Sequence, residues 1–392
     1  MVSRLRHIHI TSIDELRAAA PLWDDLWWRG DVALPTYRAE LLAQWVDQFA
    51  PNRSFHALVV EDQGQWVAAL PLVHRRLGRV LDVGVMPANQ WSSRGDFLLD
   101  SAADVEDVLD GLTAAMSEIP WQLLWLDDVP VDTYRFQALA HALERSRTAS
   151  DCHRNLEVGW ISTEAEWESF RAGWSRKHRQ QMSRHLRRLG RTGDVEFEML
   201  SHIEPDQVGR WMRLGMEVED RSWKGEAGTS VLRSPEMFRF FVEQASQAAR
   251  WGQLRLSFLR LDHRPIAFAY GISAKGVYHS CKCGYDSRYA AFSPGQLLRY
   301  HLLEAFCADP ECRAVDCLGP MTDAHRKWKP APYALGKMIV APRRLLGRMS
   351  LQTYKHVWPY VRRMRGEPSC RGRSCSAGSL AEGQPSLPAR TS

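Results

Sequence analysis

Ser293-Pro294-Gly295 stands between a strand-like run, Gly276 to Tyr285, and an apolar-periodic run that starts at Gln296. Serine suits a helix N-cap and proline the first helical position, while glycine bares the backbone where a ligand can approach. Such a start presents unpaired N–H groups at the positive end of a helix dipole, which favours phosphate or another anion. The same tripeptide also begins helices that bind nothing. A second concentration of chemistry is Glu219-Asp220-Arg221-Ser222-Trp223-Lys224-Gly225-Glu226-Ala227-Gly228-Thr229. Charges, a tryptophan and two glycines meet there at the expected end of a helix; such loops either connect elements or carry function. The third is WSRKHRQQMSRHLRRLGR, residues 174–191, with seven Arg or Lys, two His and no acid. Met182, Leu186 and Leu189 are spaced for one buried helical face, leaving Arg176, Lys177, Arg179, Arg184, Arg187, Arg188 and Arg191 for the rest. That describes a solvated basic helix, or a face for RNA, a nucleotide, a CoA phosphate or an anionic surface.

The elements that must position these residues fall into two similar series. The first half reads as a strand from Arg4 to Ile10, then a helix capped at Ser12 and running to about Arg29. A helix from Tyr37 to Phe49 follows, with a hairpin of Phe55–Val60 and Trp66–Val73 and a strand over Arg79–Val85. A helix from Ala103 to Ile119, a strand from Trp121 to Leu126 and a helix from Tyr134 to Arg147 complete it. Residues 149–154 read as the passage between halves. The second half gives strand Leu156–Trp160, a short helix capped by Thr163, the basic helix, and strand Asp194–Leu200. Helices then open at Glu204-Pro205 and Ser234-Pro235, and the hairpin Leu254–Leu261 with Pro265–Ile272 comes next. Strand Val277–Tyr285, the helix from Gln296, strand Ala314–Leu318 and a last short strand, Lys337–Val340, end the series. The shared rhythm indicates an α/β fold (an α+β mixed sheet) of two tandem units, 1–150 and 151–345. A basic helical extension over 346–365 and a Gly/Ser/Pro-rich disordered tail over 366–392 follow.

Composition narrows the class. The chain has 392 residues, 45% hydrophobic and 25% charged, as a soluble globular protein does, with a net charge of +5 that by itself implies no nucleic acid. No secretory signal and no run near the ~20 apolar residues of a membrane span stand in it, so the expected location is the cytoplasm. The eight cysteines lack paired CxxC spacing, so reduced, buried thiols are expected rather than a metal site. Cys281 and Cys283 alternate along a strand, which puts both thiols on one side.

Taken in order, several pieces resemble the GNAT acyltransferase superfamily, in the branch of the CelD-type cellulose-biosynthesis acetyltransferases, related to the FemAB peptidyltransferases. They are SRKHRQQMSRHLRRL, EDRSWKGEAGTS, LRLSFLRLDHRPIAFAYGI, GYDSRYAAFSPGQLL and VDCLGPMTDAHRKWKP, with PLWDDLW and HALVVEDQGQWVAALPLV in the first half. The resemblance spans about residues 15–340. It implies a GNAT-like fold for each half, with acetyltransferase chemistry in the second. It also implies that Ser293, Pro294, Gly295 and Gln296 hold the pyrophosphate of acetyl-CoA or another acyl-CoA. The Gln/Arg-x-x-Gly-x-Gly/Ala loop of simpler members is absent, and Gly295 alone stands there. FemAB relatives use aminoacyl-tRNA on the same topology, so tRNA is the alternative donor.

The resemblance thus implies N-acyl transfer to an amine of a small metabolite, sugar or amino-acid derivative. An ordinary amine of pKa about 10 is only ~0.1% neutral at pH 7.4, so a base helps. Glu219 is the first candidate; its other reading is a helix-end carboxylate paired with Arg221 or Lys224. Asp316, between apolar neighbours on a strand, is a second catalytic candidate or a structural group touching Lys327. Tyr285 can protonate a leaving group or pack in the core. Trp223, Lys224, Arg288, Lys327 and Trp328 are candidate substrate-binding residues, although Arg288 with Asp286 also suits shaping the turn. A non-catalytic nucleic-acid-binding protein using residues 174–191 is the reading from a different class.

Overall fold

In the computed structural model the described residues are 5–77, 81–92, 94–342 and 345–364, with side chains described to residue 356. The expected tail over 366–392, and with it Cys370 and Cys375, lies outside them. The first half supplies strands β1 (Leu5–Ile10), β2 (Phe55–Asp62), β3 (Gln65–Leu77), β4 (Leu81–Val85), β5 (Leu98–Leu99) and β6 (Leu123–Val129). Its helices are α1 (Ile13–Ala18), α2 (Ala20–Arg29), α3 (Ala39–Phe49), α4 (Val105–Met116) and α5 (Tyr134–Arg145). Strand β7 (Ala149–Ser162) leads to α6 (Trp167–Ala172), α7 (Arg176–Leu189), β8 (Val195–Leu200), α8 (Val208–Asp220), α9 (Trp223–Glu226) and α10 (Pro235–Arg250). Then come β9 (Leu254–Leu261), β10 (Arg264–Ala274), β11 (Val277–Tyr285), α11 (Pro294–Ala308), β12 (Ala314–Pro320), α12 (Asp323–Arg326), β13 (Ala331–Ala341) and α13 (Leu345–Met364).

All thirteen strands of the described residues join one mixed sheet, in the order β1-β2-β3-β4-β6-β13-β7-β12-β11-β10-β9-β8, with β5 on β3. Read from either edge, the order is the same: four antiparallel strands, then a parallel neighbour (β6 beside β4, β12 beside β11). Turn chemistry repeats as well. Gln63 and Gly64 join β2 to β3, and Asp262 and His263 join β9 to β10, each pair with positive φ at both positions. Two left-handed residues match the twist of a tight hairpin. At the centre the halves exchange strands. Strand β7, which follows the first half, pairs with β12 of the second, and β13 pairs with β6 of the first. Strands β7 and β13 pair with each other from Ala149–Ala341 to Trp160–Ala331.

Residues 149–154 are therefore strand, and β13 begins at Ala331 although Pro332 and Gly336 interrupt its pattern. Partners on both sides override local propensity there. Thr163 does not cap α6; its hydroxyl donates to Cys312 O at 2.7 Å, and the N-cap is Glu166. The largest core cluster runs through the first half and continues beneath α8 and α10, where Phe49 meets Phe240 with ring centroids 5.0 Å apart. A second, smaller cluster lies under α7 and α11 on the other face of the sheet. The β10–β11 turn is anchored to the first half, where Lys275 Nζ donates to the carbonyls of Trp27, Gly30 and Val32.

Candidate functional site

Strands β11 and β12 pair only at Val277–Ala314, Tyr278–Val315 and His279–Asp316, and beyond that they part. On β11 Gly271 faces Ser280 while Tyr270 faces Lys282, so Cys281 is one residue too many. This bulge reverses the alternation: Cys281 packs toward the shared core, whereas Cys283 lines a cavity on the other face. The expectation that both thiols share a side fails for that reason. On β12, Leu318 has φ 53°, uncommon for a bulky side chain, where the strand turns away. The wedge between the strands, closed by α11, holds a cavity of about 290 Å³. Its walls are mainly Leu298, Leu302, Leu303, Phe306, Ile161 and Val315; Trp223, Lys224, Tyr285 and Gly295 also line it.

Helix α11 starts without a side-chain cap. Ser293 sits at φ 54°, ψ 53°, and its hydroxyl bonds no helix amide. An N-cap bond needs extended backbone, so the expected capping role is not taken up. The Ser293 amide donates to Ala290 O and the Gln296 amide to Ser293 O, both at 2.9 Å. Pro294 has no N–H. The Gly295 N–H is left as the first-turn donor with no partner among the described residues. A Cβ on Gly295 would stand 3.3 Å from Tyr285 Cδ1, so the tyrosine ring lies against the bare glycine. The Gln296 side chain is turned inward, its Oε1 accepting from Trp328 Nε1 at 2.9 Å.

Glu219, at 1% exposure, is held at the end of α8. Its Oε1 accepts from Lys224 Nζ at 2.7 Å and its Oε2 from the Val231 amide at 3.1 Å. Of the two expected partners, Lys224 is the one it takes. Both oxygens being engaged, Glu219 has no free direct path to an incoming amine. Lys224 Nζ also donates to Cys283 O at 3.2 Å, which fixes the ammonium at the cavity wall. Trp223 beside it is 60% exposed. Arg221 turns instead to Asp286, Nε to Oδ2 at 2.9 Å, and Arg288 grips the same carboxylate through Nη2 at 2.7 Å. Burial works against the charged form of Asp286, yet the Arg288 bonds and the two guanidinium charges hold its carboxyl below the usual range. Arg288 thereby shapes the turn, as one of its two expected roles has it.

Asp316 is fully buried and does not touch Lys327. It accepts from Arg94 Nη1 at 2.9 Å, the Tyr333 hydroxyl at 2.9 Å and the Leu318 amide at 3.0 Å, with His279 Nδ1 at 3.6 Å. Desolvation is the largest influence and would raise its carboxyl; His279, Arg94 and the Leu318 amide outweigh it and keep it low. Arg94 comes from the first half and also pairs with Asp96, which Arg135 binds through Nη2 at 2.8 Å. The chain of charges makes Asp316 a joint between halves, and every oxygen is occupied. Trp328, expected at an acceptor pocket, is 0% exposed and packs edge-on against Trp174 and His178. Lys327 is exposed near α7, where its charge, after desolvation, helps keep His178 neutral.

Helix α7 buries His178, Met182, His185 and Leu189, with Leu186 half-buried. Arg188 lies 5.4 Å from the centroid of Phe292, one residue before Ser293, so the basic face adjoins the start of α11. Its cations bond backbone carbonyls: Arg179 Nη1 to Ala172 O and Trp174 O, Arg187 Nε to Ser183 O. Among the described residues none of the seven pairs with a carboxylate. Sequence reasoning missed Arg94, Tyr278 and Arg299. Only Arg299 had a signal, four residues after Gly295 and therefore on the same helical face.

Residues 176–329 match the acetyltransferase (GNAT) domain. Among solved structures, FemX is similar at 12% identity, with 85% of this chain and 96% of that chain covered and a TM-score of 0.57. A conserved protein of unknown function from Bacteroides thetaiotaomicron is similar at 13% identity, 84% and 97% coverage, and a TM-score of 0.53. At these identities the likeness is one of fold. No curated protein matches, and no helix among the described residues is long and apolar enough to cross a membrane. Within the second half of the chain, the stretch from Arg176 to Lys329 is therefore similar to a GNAT-type acetyltransferase domain.

Proposed function

We propose that this chain is an acyl-CoA-dependent N-acyltransferase acting on an amine of a small metabolite, sugar or amino-acid derivative, in the CelD-type branch. The observation that carries the reading is the start of α11: an uncapped helix end with the free Gly295 amide, set over an apolar wedge between parting strands. A phosphate at the helix end and an acyl arm in the wedge both suit these surfaces. Arg188, beside Phe292, adds positive charge next to them.

A thioester donor supplies an activated carbonyl. The amine nitrogen bonds the acyl carbon, the C–S bond breaks, an acid of the site gives its proton to the thiolate, and the proton the amine loses restores that acid. Lys224 is assigned to the developing oxyanion, because Glu219 and Cys283 O hold its ammonium at the cavity wall. Glu219 is a positioning residue in this scheme. Tyr285, whose hydroxyl makes no hydrogen bond among the described residues and whose ring rests on Gly295, is assigned to protonate the thiolate. Trp223 borders the path of the acceptor.

Calorimetric titration with acetyl-CoA, repeated on Gly295→Asp, tests this. Binding by the parent that the variant loses supports the reading; absence of binding to folded parent defeats it. The unpaired cations of α7 favour one second reading, a FemAB-like aminoacyl-tRNA donor. Under that reading RNA binding is steeply salt-dependent and vanishes when Arg184, Arg187 and Arg188 are replaced together by Ala. A non-catalytic nucleic-acid-binding role leaves the wedge without purpose.

A further inference from the structure

The wedge contains two donor atoms, the Tyr278 hydroxyl and Arg299 Nη1, with no hydrogen-bond partner among the described residues. Tyr278 is 1% exposed, lines the cavity, and its hydroxyl has no hydrogen-bond partner among the described residues. Its ring lies across Gly271, where a Cβ would come within 2.2 Å of Tyr278 Cε2, so the glycine gives the ring its place. Arg299 also lines the cavity, and its Nη1 is buried without a partner. The guanidinium makes a side-chain hydrogen bond to the Cys317 thiol and lies close enough to Tyr278 for its charge to act there. The surrounding walls are Leu298, Leu302, Leu303, Phe306 and Val315. A buried guanidinium N–H without an acceptor is costly, and so is a buried hydroxyl without one. Both groups donate, and the planar fork of arginine matches a carboxylate.

Resting on the acyl-CoA reading, we infer that the transferred acyl group ends in a carboxylate received by Arg299 and the Tyr278 hydroxyl, making the donor a short carboxyacyl thioester of the malonyl, succinyl or glutaryl class. Distance supports a short spacer. Arg299 lies one helical turn beyond Gly295, about 6 Å along the axis at 1.5 Å per residue. The apolar walls accommodate the methylenes between the thioester and the charged end. The carboxylate takes no part in the transfer and leaves unchanged on the product.

Titration of the parent, Arg299→Met and Tyr278→Phe with CoA, butyryl-CoA and succinyl-CoA decides the matter. The expected result is succinyl-CoA bound at least tenfold tighter than butyryl-CoA by the parent. Arg299→Met removes that preference while its affinity for CoA stays within twofold, and Tyr278→Phe reduces the preference severalfold. Because Arg299 has no carboxylate partner among the described residues and gives up only a weak bond to the Cys317 thiol, Arg299→Met melts close to the parent; if it nevertheless misfolds, Tyr278→Phe carries the same comparison. A parent that binds CoA but prefers butyryl-CoA, or shows no preference, overturns the inference and leaves the acyl-CoA reading standing. Weaker binding of CoA itself by Arg299→Met assigns the guanidinium to the donor's phosphates or arm and likewise overturns it. A folded parent that binds none of the three defeats the donor reading, and this inference with it.

Discussion

Helices α4 and α11 hold the same place in the two halves, each between the fourth strand of its series and the parallel strand beyond, yet they begin in opposite ways. At α4 the side chain of Asp104 accepts from the amides of Glu106 and Asp107, both of them acids in the first turn. That end is satisfied and negative, so it repels an anion. At α11 no side chain caps the helix and no acid stands in the first turn. The spaces beside the two helices differ in the same sense. In the first half the loop after β4 closes the gap, with the Gly95 amide donating to Asp128 O at 3.0 Å. A Cβ at Gly95 would come within 2.7 Å of Asp127 O, so that close approach needs glycine. In the second half β11 continues past its pairing, and the corresponding gap is the cavity. One plan, used twice, gives a filled scaffold and an open site. The same loop then reaches across, so that Arg94 anchors Asp316 of the second half.

The contrast can be broken most sharply at the two helix starts. Gly295→Asp places a carboxylate on the open one and abolishes acyl-CoA binding in a titration. Asp104→Ala removes the cap of the closed one, costs about 1 kcal/mol of stability by chemical denaturation, and leaves donor binding unchanged. Loss of binding in both would refute the division of labour. Next in size, Lys224→Ala lowers kcat by roughly 100- to 1,000-fold, as loss of an oxyanion donor does, with little change in the KM for the donor. An equal loss carried entirely by KM would reassign Lys224 to donor binding.

The joint between halves is tested by Arg94→Ala, which takes the guanidinium from buried Asp316 and costs about 3–5 kcal/mol in denaturant unfolding. Arg17→Ala removes half-exposed pairs to Glu40 and Asp47 and costs no more than about 1 kcal/mol. Similar costs for the two would deny the joint its role. The smallest effect separates two carboxylates, Asp128 at a positive-φ position near the end of β6 (φ 54°) and Asp316 on β12. Burial first, and Asp127 second, push the Asp128 carboxyl up to about 6. An acid raised on folding destabilises above its folded pKa, and that penalty is relieved as pH falls from about 6 toward 4. Asp128→Asn therefore raises Tm at pH 7.5 and leaves it unchanged near pH 4. Asp316, held low, acts in the opposite sense: its contribution is present above about pH 4, the ordinary aspartate value, and is lost as pH falls through its folded pKa. A Tm gain for Asp128→Asn that persists at pH 4 would point to packing instead of charge.

Much was legible in the residues alone. Hydrophobic period and turn residues placed both hairpins, the basic helix, the run after Pro294 and the repeated order of elements, because those signals are local. The pairing of Glu219 with Lys224 was one of two partners that nearness in the chain allowed. What was not legible depends on residues distant in sequence. Nothing near Asp316 announces Arg94, 222 positions away. No periodicity shows that Cys281 is an extra residue, because a bulge exists only relative to the partner strand. Ser293 has the right chemistry for a cap, but its backbone conformation, set where the Tyr289–Phe292 segment meets α11, keeps the hydroxyl from the task.

The sequence by itself determined the local character of this protein: which segments are strand or helix, where they turn, where cations gather, and that α4 begins with acids whereas α11 begins with none. Those choices depend on the conformational preferences and charges of neighbouring side chains, which a linear text records. The tertiary structure alone decided that β7 and β13 change places at the centre of the sheet, that β11 and β12 part to leave a cavity, and that the Tyr278 hydroxyl and Arg299 Nη1 are left without hydrogen-bond partners among the described residues where those side chains line it. Those outcomes follow from register, twist and packing between distant segments, where the energy of each contact depends on a neighbour the chain reaches only after folding.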